Sequence, residues 1–311
     1  MKRAKAFAPS AISSFFEICD TTADGKPITD LEKVGARGGG FGLQKGVTTC
    51  VSVSEAKKSS IRVFINGTNA PEAETTKAVL QALLGKTGMT YAVVAEHTIE
   101  VPIGAGFGTS AGGALTAGLA LKDALGLPLT RNQIGKIAHV AEIQCRTGLG
   151  TVSSLAQSGG CVLVVEPGAP GTFVIDSIPL SPNYVVVAGF FSSMPTKSVL
   201  SSPERRREIN RWGKKTLENI LDEPSIENFL VSCLEFAEKA GFMTPRTRNL
   251  VKLAERAGAI GAAENMIGEA VHALVRKENA GNLAEAFKQV LPEERVITAG
   301  IDFQGARLLE K

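Results

Sequence analysis

Glycine constrains this chain more than any other residue type. It supplies 33 of 311 residues, gathered at 35–46, 104–118, 148–171 and 258–268. Glycine is costly inside regular elements, so such clusters mark backbone that turns tightly or comes close to something. The stretch Pro102-Ile103-Gly104-Ala105-Gly106-Phe107-Gly108-Thr109-Ser110-Ala111-Gly112-Gly113-Ala114 lies between a strand-like segment and a long apolar one. With Gly104, Gly106 and Gly108 bare, successive N–H groups can point into one concavity. A helix opening at the same place adds the positive end of its dipole and unpaired first-turn donors. That combination binds a phosphate chain. Thr109 and Ser110 bring hydroxyls to the same terminus, suited to a phosphate oxygen or Mg²⁺. The loop has no Gly-Lys-Ser/Thr of a Walker A motif, and Thr109 stands at the third glycine position of a G-x-G-x-x-G fingerprint. The bland alternative is a structural turn that packs a helix closely.

Composition narrows the class. Apolar residues make up 44% and charged residues 21%, enough to bury a sizeable core. A net charge of +3, from 34 basic and 31 acidic residues, is too mild for a nucleic-acid binder. The longest apolar run, around Val185 to Phe191, falls far short of the roughly 20 residues of a membrane span. Pro9, several serines and Glu17 interrupt any signal-peptide core after Lys2, Arg3 and Lys5. Cys19, Cys50, Cys145, Cys161 and Cys233 are odd in number and form no C-x-x-C pair, which argues against disulfides and zinc. His97, His139 and His272 sit in separate segments. The expectation is a soluble, cytoplasmic protein with no membrane or nucleic-acid partner.

A first strand is expected over residues 3–8, then β-branched strands at Val47–Val53 and Ile61–Ile65. A helix is expected over Pro71 to Leu84 with Pro in its first turn, followed by a strand at Tyr91–Glu96. After the loop, a helix runs to about Gly126. Thr130-Arg131-Asn132-Gln133 reads as a capping box, opening a helix with Ile134, Ile137, Ala138, Ala141 and Cys145 on one face. Cys161–Val165, Phe173–Ile175 and Tyr184–Ala188 read as strands closing the first half. Pro203 to Gly258 reads as helical, with breaks at Pro224, Gly241 and Pro245, and Thr244-Pro245 as an N-cap pair. A further helix is expected over Ala262 to Arg276, another over Leu283–Val290, then a strand at Arg295–Ala299 and a short terminal strand. Without strict βαβ alternation the class is α+β. The run Glu204-Arg205-Arg206-Arg207-Glu208, with Lys214 and Lys215, reads as a solvated helix face or a phosphate- or partner-binding patch.

The loop at 102–114 resembles the P-x-G-x-G-L-G-S-S-A signature of the GHMP kinases, with Phe107 for Leu and Thr109 for the first Ser. Ala8-Pro9-Ser10-Ala11-Ile12-Ser13-Ser14-Phe15-Phe16-Glu17 is similar to the family's N-terminal substrate motif. Gly258 to Met266 falls where its third, glycine-rich motif belongs. Val34-Gly35-Ala36-Arg37-Gly38-Gly39-Gly40, Thr147-Gly148-Leu149-Gly150 and Asn265-Met266-Ile267-Gly268 look like the archaeal pantoate kinases in particular. The resemblance implies two domains, an N-terminal GHMP kinase ATP-binding α/β domain over 1–178 and a ferredoxin-like C-terminal domain over 179–311. It implies ATP and Mg²⁺ as cofactors. Pro102, Gly104, Ala105, Gly106, Phe107, Gly108, Thr109, Ser110 and Ala111 would hold the nucleotide, and Ser110 with Glu142 the metal. Ser13, Arg37, Gly38 and Gly148 would face a small hydroxy-acid substrate, with Ser110, Glu142 and Thr151 catalytic. A homodimer stays open.

Glu142 also stands out without the likeness. It borders the apolar stripe of its helix, an expensive place for a lone carboxylate, although it could reach solvent or pair with Arg146 at i+4. Arg37, between glycines, could fork onto an anion or be a loop-surface arginine. Two positions depart from the family. Thr151 stands where pantoate kinases carry an acidic residue after Gly-Leu-Gly, and Ala11 where they tend to have His. Three readings compete: a pantoate kinase in coenzyme A biosynthesis, a paralogue acting on a mevalonate phosphate with Arg37, Arg146 and Lys197 serving the extra anion, or a non-catalytic nucleotide sensor.

Overall fold

The computed structural model describes residues 1–157, 159–192 and 202–310. Its spine is a pair of long antiparallel strands, β1 (Lys2–Cys19) and β2 (Gly35–Glu55). Far from ending at residue 8, the first strand runs on through the serine- and phenylalanine-rich segment. The glycine cluster at 35–46 is strand as well, not turn. A Cβ at Gly40 would meet the Ile12 carbonyl oxygen at 1.7 Å, and one at Gly38 the Phe15 oxygen at 2.4 Å. Glycine here serves close approach between strands.

The register of the two strands shifts twice, between Pro9 and Ser10 and between Ser13 and Phe15. A proline has no N–H for the ladder, so Pro9 suits an irregularity. The second shift leaves Ser14 without a partner in the ladder and bends the strand.

The first sheet continues with β3 (Ser60–Ile65), β4 (Thr68–Asn69), β5 (Tyr91–Ile99), β6 (Cys161–Glu166), β7 (Val174–Ile178) and β12 (Arg307–Leu309). Its path is β12-β1-β2-β5-β3-β4, with β6 pairing the glycine end of β2 and β7 pairing β6. Against it lie α1 (Glu74–Leu84), α2 (Thr109–Leu125), α3 (Arg131–Cys145) and α4 (Thr151–Gln157). Pro71 precedes α1 rather than entering its first turn, since Ala73 is the N-cap. The Thr130–Gln133 capping box is formed on both sides, and Gly126 ends α2 in the left-handed conformation.

The second sheet holds β8 (Tyr184–Ser192), β9 (Gly261–Glu264), β10 (Glu269–Arg276) and β11 (Val296–Gly300), in the order β11-β8-β10-β9 and antiparallel throughout. Among the described residues three helices, α5 (Pro203–Asp222), α6 (Ile226–Lys239) and α7 (Pro245–Arg256), separate β8 from β9, and α8 (Ala280–Lys288) separates β10 from β11. Numbered within the unit, that is strand order 4-1-3-2, a ferredoxin-like arrangement with extra helices. Two expectations fail here. Tyr184–Ala188 opens the second sheet instead of closing the first half, and Ala262–Arg276 is a β-hairpin, not a helix. β10 is buried at every position but the last, so its apolar run belongs to a strand covered on both faces.

The chain returns to the first sheet at its end, where β12 pairs β1 and Ile301 bridges Leu43. One core joins the two units. Phe15 packs edge-on against Phe229 and Phe236, Phe16 against Phe236, and Phe41 against Phe229, which seats α6 between the sheets. Among the described residues no helix is long and apolar enough to cross a membrane.

Helix α5 comes so close to β1 that a Cβ at Gly213 would meet the Phe16 carbonyl oxygen at 2.2 Å. Helix propensity alone favours Gly213→Ala by about 1 kcal/mol. Overpacking reverses the sign, so the variant is expected to lose about 1–3 kcal/mol in denaturant unfolding.

Candidate active site

The phosphate loop leaves β5 and enters α2 through three glycines in left-handed backbone, Gly104, Gly106 and Gly108 with φ of 78°, 77° and 63°. Such angles disfavour any side chain. Gly108 is the N-cap of α2, no side chain caps that terminus, and no acidic residue lies in its first turn. Its first N–H groups therefore stay available to an anion. They open into a cleft of about 450 Å³.

Gly104, Gly106, Phe107, Gly108, Thr109, Ser110 and Ala111 line this cleft, while Pro102 and Ala105 do not. Ala105 is buried, and Phe107 lies in the core with its carbonyl accepting from the Ala11 N–H at 3.0 Å. Across the cleft stand Ser13, Arg37, Gly38, Glu142, Gly148 and Thr151. Residues separated by more than a hundred positions thus share one concavity.

Glu142 is the carboxylate of the cleft. It neither reaches solvent nor pairs with Arg146. It is 2% exposed, and its Oε2 has no hydrogen-bond partner. The Thr147 hydroxyl donates to Oε1 at 3.4 Å, and Thr147 in turn meets Thr75 at 2.9 Å. Burial pushes the carboxyl up to about 7, against hydrogen bonds from Ser110 and Thr147 that favour the anion. A Cβ at Gly148 would stand 2.6 Å from Oε2, so the Gly-Leu-Gly turn lies directly on the carboxylate. A buried carboxylate oxygen lacking a partner, beside a hydroxyl and an open helix N-terminus, fits a divalent cation that is bound largely by phosphate oxygens. Among the described residues no group of three or more His, Cys, Asp or Glu could hold a metal alone.

Arg37 is neither on a loop nor unengaged. It lies on β2, with its Nε and Nη2 on the Glu17 carboxylate at 2.9 and 2.6 Å. Arg146 caps α3 in left-handed backbone, φ 54°, and also lines the cleft. Lys197 lies outside the described residues. Thr151 is the first residue of α4, and its methyl faces Gly108, where a Cβ would come to 2.8 Å. Its place at a helix start was not legible from the local pattern, and α4 itself was not expected. Ala11 also lines the cleft. Of the charge run, Arg206 Nη2 donates to both carboxylate oxygens of Asp20 and Arg205 lies over the Phe242 ring, so part of it is structural. Neither Thr75 nor Thr147 is marked by the sequence as a partner of this carboxylate, because a threonine near a helix end carries no sign of the group it will meet.

Comparison with known proteins bears on the class. Residues 74–157 match the GHMP kinases N terminal domain, which spans the phosphate loop, α2 and α3. The chain is 32% identical to the pantoate kinase of Thermococcus kodakarensis over 93% of its own length and 92% of that protein. It is 26% identical to the mevalonate kinase of Pyrococcus furiosus, over 53% of the chain and 54% of that protein. A solved structure titled "Phosphotransferase related to CoA biosynthesis pathway" superposes with a TM-score of 0.84 at 29% identity, covering 99% of this chain and 98% of the other. Likeness over nine-tenths of both chains makes this chain a member of the pantoate kinase family of GHMP kinases.

Proposed function

We propose that this kinase transfers the γ-phosphoryl group of ATP to the 4-hydroxyl of pantoate, giving 4-phosphopantoate for coenzyme A biosynthesis. The observation that carries the reading is Glu142, buried with a bare carboxylate oxygen beside Ser110 at an uncapped helix N-terminus. On this reading loop 104–111 cradles the triphosphate with its N–H groups, and Ser110 and Glu142 hold Mg²⁺. Mg²⁺ held there would supply positive charge against the charge that develops on the phosphates.

The acceptor half of the cleft suits a compact branched acid. Phe15, Phe16, Leu149, Val162 and Val164 form an apolar wall fit for the paired methyl groups of pantoate. Arg146 sets positive charge at its edge for the carboxylate, while Arg37, held by Glu17, shapes the wall beside it. Gly38 and Gly148 line this half of the cleft, and Ser13 offers a hydrogen bond. Thr151 Oγ1 orients the acceptor hydroxyl but cannot take its proton for good. Phosphoryl transfer has a loose transition state, catalysed chiefly by positioning and charge. The hydroxyl proton then leaves toward the transferred phosphoryl oxygens after the bond to ADP has lengthened. The intact Ser110–Glu142 pair speaks against the sensor reading. The lesser reach of the mevalonate kinase likeness speaks against the paralogue. A cytoplasmic enzyme of archaeal source completes the proposal, since five free thiols suit a reducing compartment.

ADP release with Mg-ATP against pantoate, mevalonate, mevalonate phosphates, homoserine and no acceptor is the test. Turnover is expected with pantoate. Turnover confined to a phosphorylated acceptor, or ATP binding with no turnover, would overturn the assignment.

Glu142 links activity to stability. Folded, the group holds its proton up to about 7, against an ordinary value of 4.5. Unfolding releases that proton above pH 4.5, so folding loses stability as pH rises from there to about 7 and levels off beyond. The loss is on the order of 3 kcal/mol. Glu142→Gln is expected to raise the Tm of the nucleotide-free protein at pH 8, with the gain vanishing near pH 4.5. The same change, like Ser110→Ala, is expected to lower kcat by about 10²–10³-fold. An unaltered kcat would remove the metal role.

A further inference from the structure

A chain of buried hydrogen bonds, not accounted for by the chemistry above, runs from β1 through the second sheet to the phosphate loop. His272, on β10, is wholly buried. Its Nε2 lies 2.9 Å from the Ser14 hydroxyl and its Nδ1 2.9 Å from Asn265 Oδ1. Asn265 Nδ2 donates to the Ala105 carbonyl at 3.4 Å. That last contact sets the polarity of the whole chain. A carbonyl needs a donor, so the amide nitrogen faces Ala105 and its oxygen faces His272. Nδ1 must then carry the proton, leaving Nε2 to accept from Ser14. Burial keeps the ring neutral, down to about 3, so this tautomer persists across the working pH range.

The turn between β9 and β10, residues 265–268, meets the loop in other ways. The Met266 N–H donates to the Ser13 carbonyl at 2.7 Å. A Cβ on Gly268 would stand 2.7 Å from the Ala105 carbonyl carbon, and one on Gly106 2.9 Å from the Met266 oxygen. The two backbones are in direct contact. Ile267, at the tip and lining the cleft, sits at φ 63°, a conformation that a β-branched residue holds only under constraint. Ser14 is the residue skipped by the register shift in β1, and the bulge aims its hydroxyl at the ring.

We propose that His272 is a positioning residue for the nucleotide: through Asn265 it braces turn 265–268, and that turn holds Ala105 and Gly106 in the shape that receives the triphosphate. Sheet two, which supplies few walls of the cleft, thereby controls ATP affinity. The inference rests on loop 104–111 being the triphosphate seat.

The test is MgATP binding by calorimetry to the full chain, with acceptor KM at saturating ATP measured alongside. His272→Leu is expected to weaken MgATP binding about ten- to hundredfold, the loss of one to two buried hydrogen bonds. Acceptor KM is expected to stay within about twofold. His272→Asn, which keeps an N–H near the Nδ1 position, is expected to recover most of the affinity. His272→Gln, which restores only the Ser14 side, is not. A merely structural histidine would show no such difference and would weaken both ligands alike. Ser14→Ala leaves the ring in place and is expected to weaken MgATP about threefold, which keeps the test alive if His272→Leu does not fold. Folded variants that bind MgATP as the parent does would overturn the brace. Gly106→Ala separates the two readings. If it too binds MgATP normally, the triphosphate seat is wrong. If it alone loses binding, the brace is.

Discussion

The second half of β1 is the strand on which the rest depends. From Ser10 to Cys19 it leaves the first sheet's helical cover and passes between the two units. Its Ala11 N–H donates to the Phe107 carbonyl of the glycine-rich loop, its Ser13 carbonyl accepts from the Met266 N–H of the opposite turn, and the Ile18 backbone N–H and C=O are both met by the side-chain amide of Asn210 on α5. Phe15 and Phe16 anchor α6. A strand can serve so many partners only if its neighbour stays out of the way, and the glycine run of β2 has no side chains to interfere.

Charge is sparse in the cleft, and that is what gives Glu142 its leverage. One carboxylate, taken from water and left half-partnered, is costly in the absence of ligand. The same cost makes a divalent cation carried in by phosphates welcome there. On the proposed reading, stability is given up at the place where a metal would need a vacant oxygen, a common exchange at active sites. On the same reading, Thr151 in place of an acid would cost the protein less than the loss of a strong base, because positioning dominates phosphoryl transfer.

Local signals were read correctly where local physics decides. The Thr130–Gln133 and Thr244–Pro245 caps, the left-handed Gly126 and the loop-to-helix junction at Gly108 all concern backbone groups satisfied within a few residues. The errors fell where distant packing decides. Ala262, Ala263, His272 and Ala273 are acceptable in a helix, yet burial on both faces makes 261–276 a hairpin. The glycines at 35–46 left a tight turn and a close approach equally open, and only the pairing of β2 with β1 selects close approach.

The sequence by itself determined the glycine-rich loop at a helix start and the awkward carboxylate at Glu142, since each rests on residue type within a short window, and its likeness to the GHMP kinases along the chain pointed to the class of small-molecule kinase. Only the tertiary structure decided that Glu142 keeps one oxygen free, that Arg37 is occupied by Glu17, and that Ser14, His272 and Asn265 form one chain across 258 positions of sequence. Hydrogen-bond partners of buried groups are chosen by which elements pack together, and no local window contains that information.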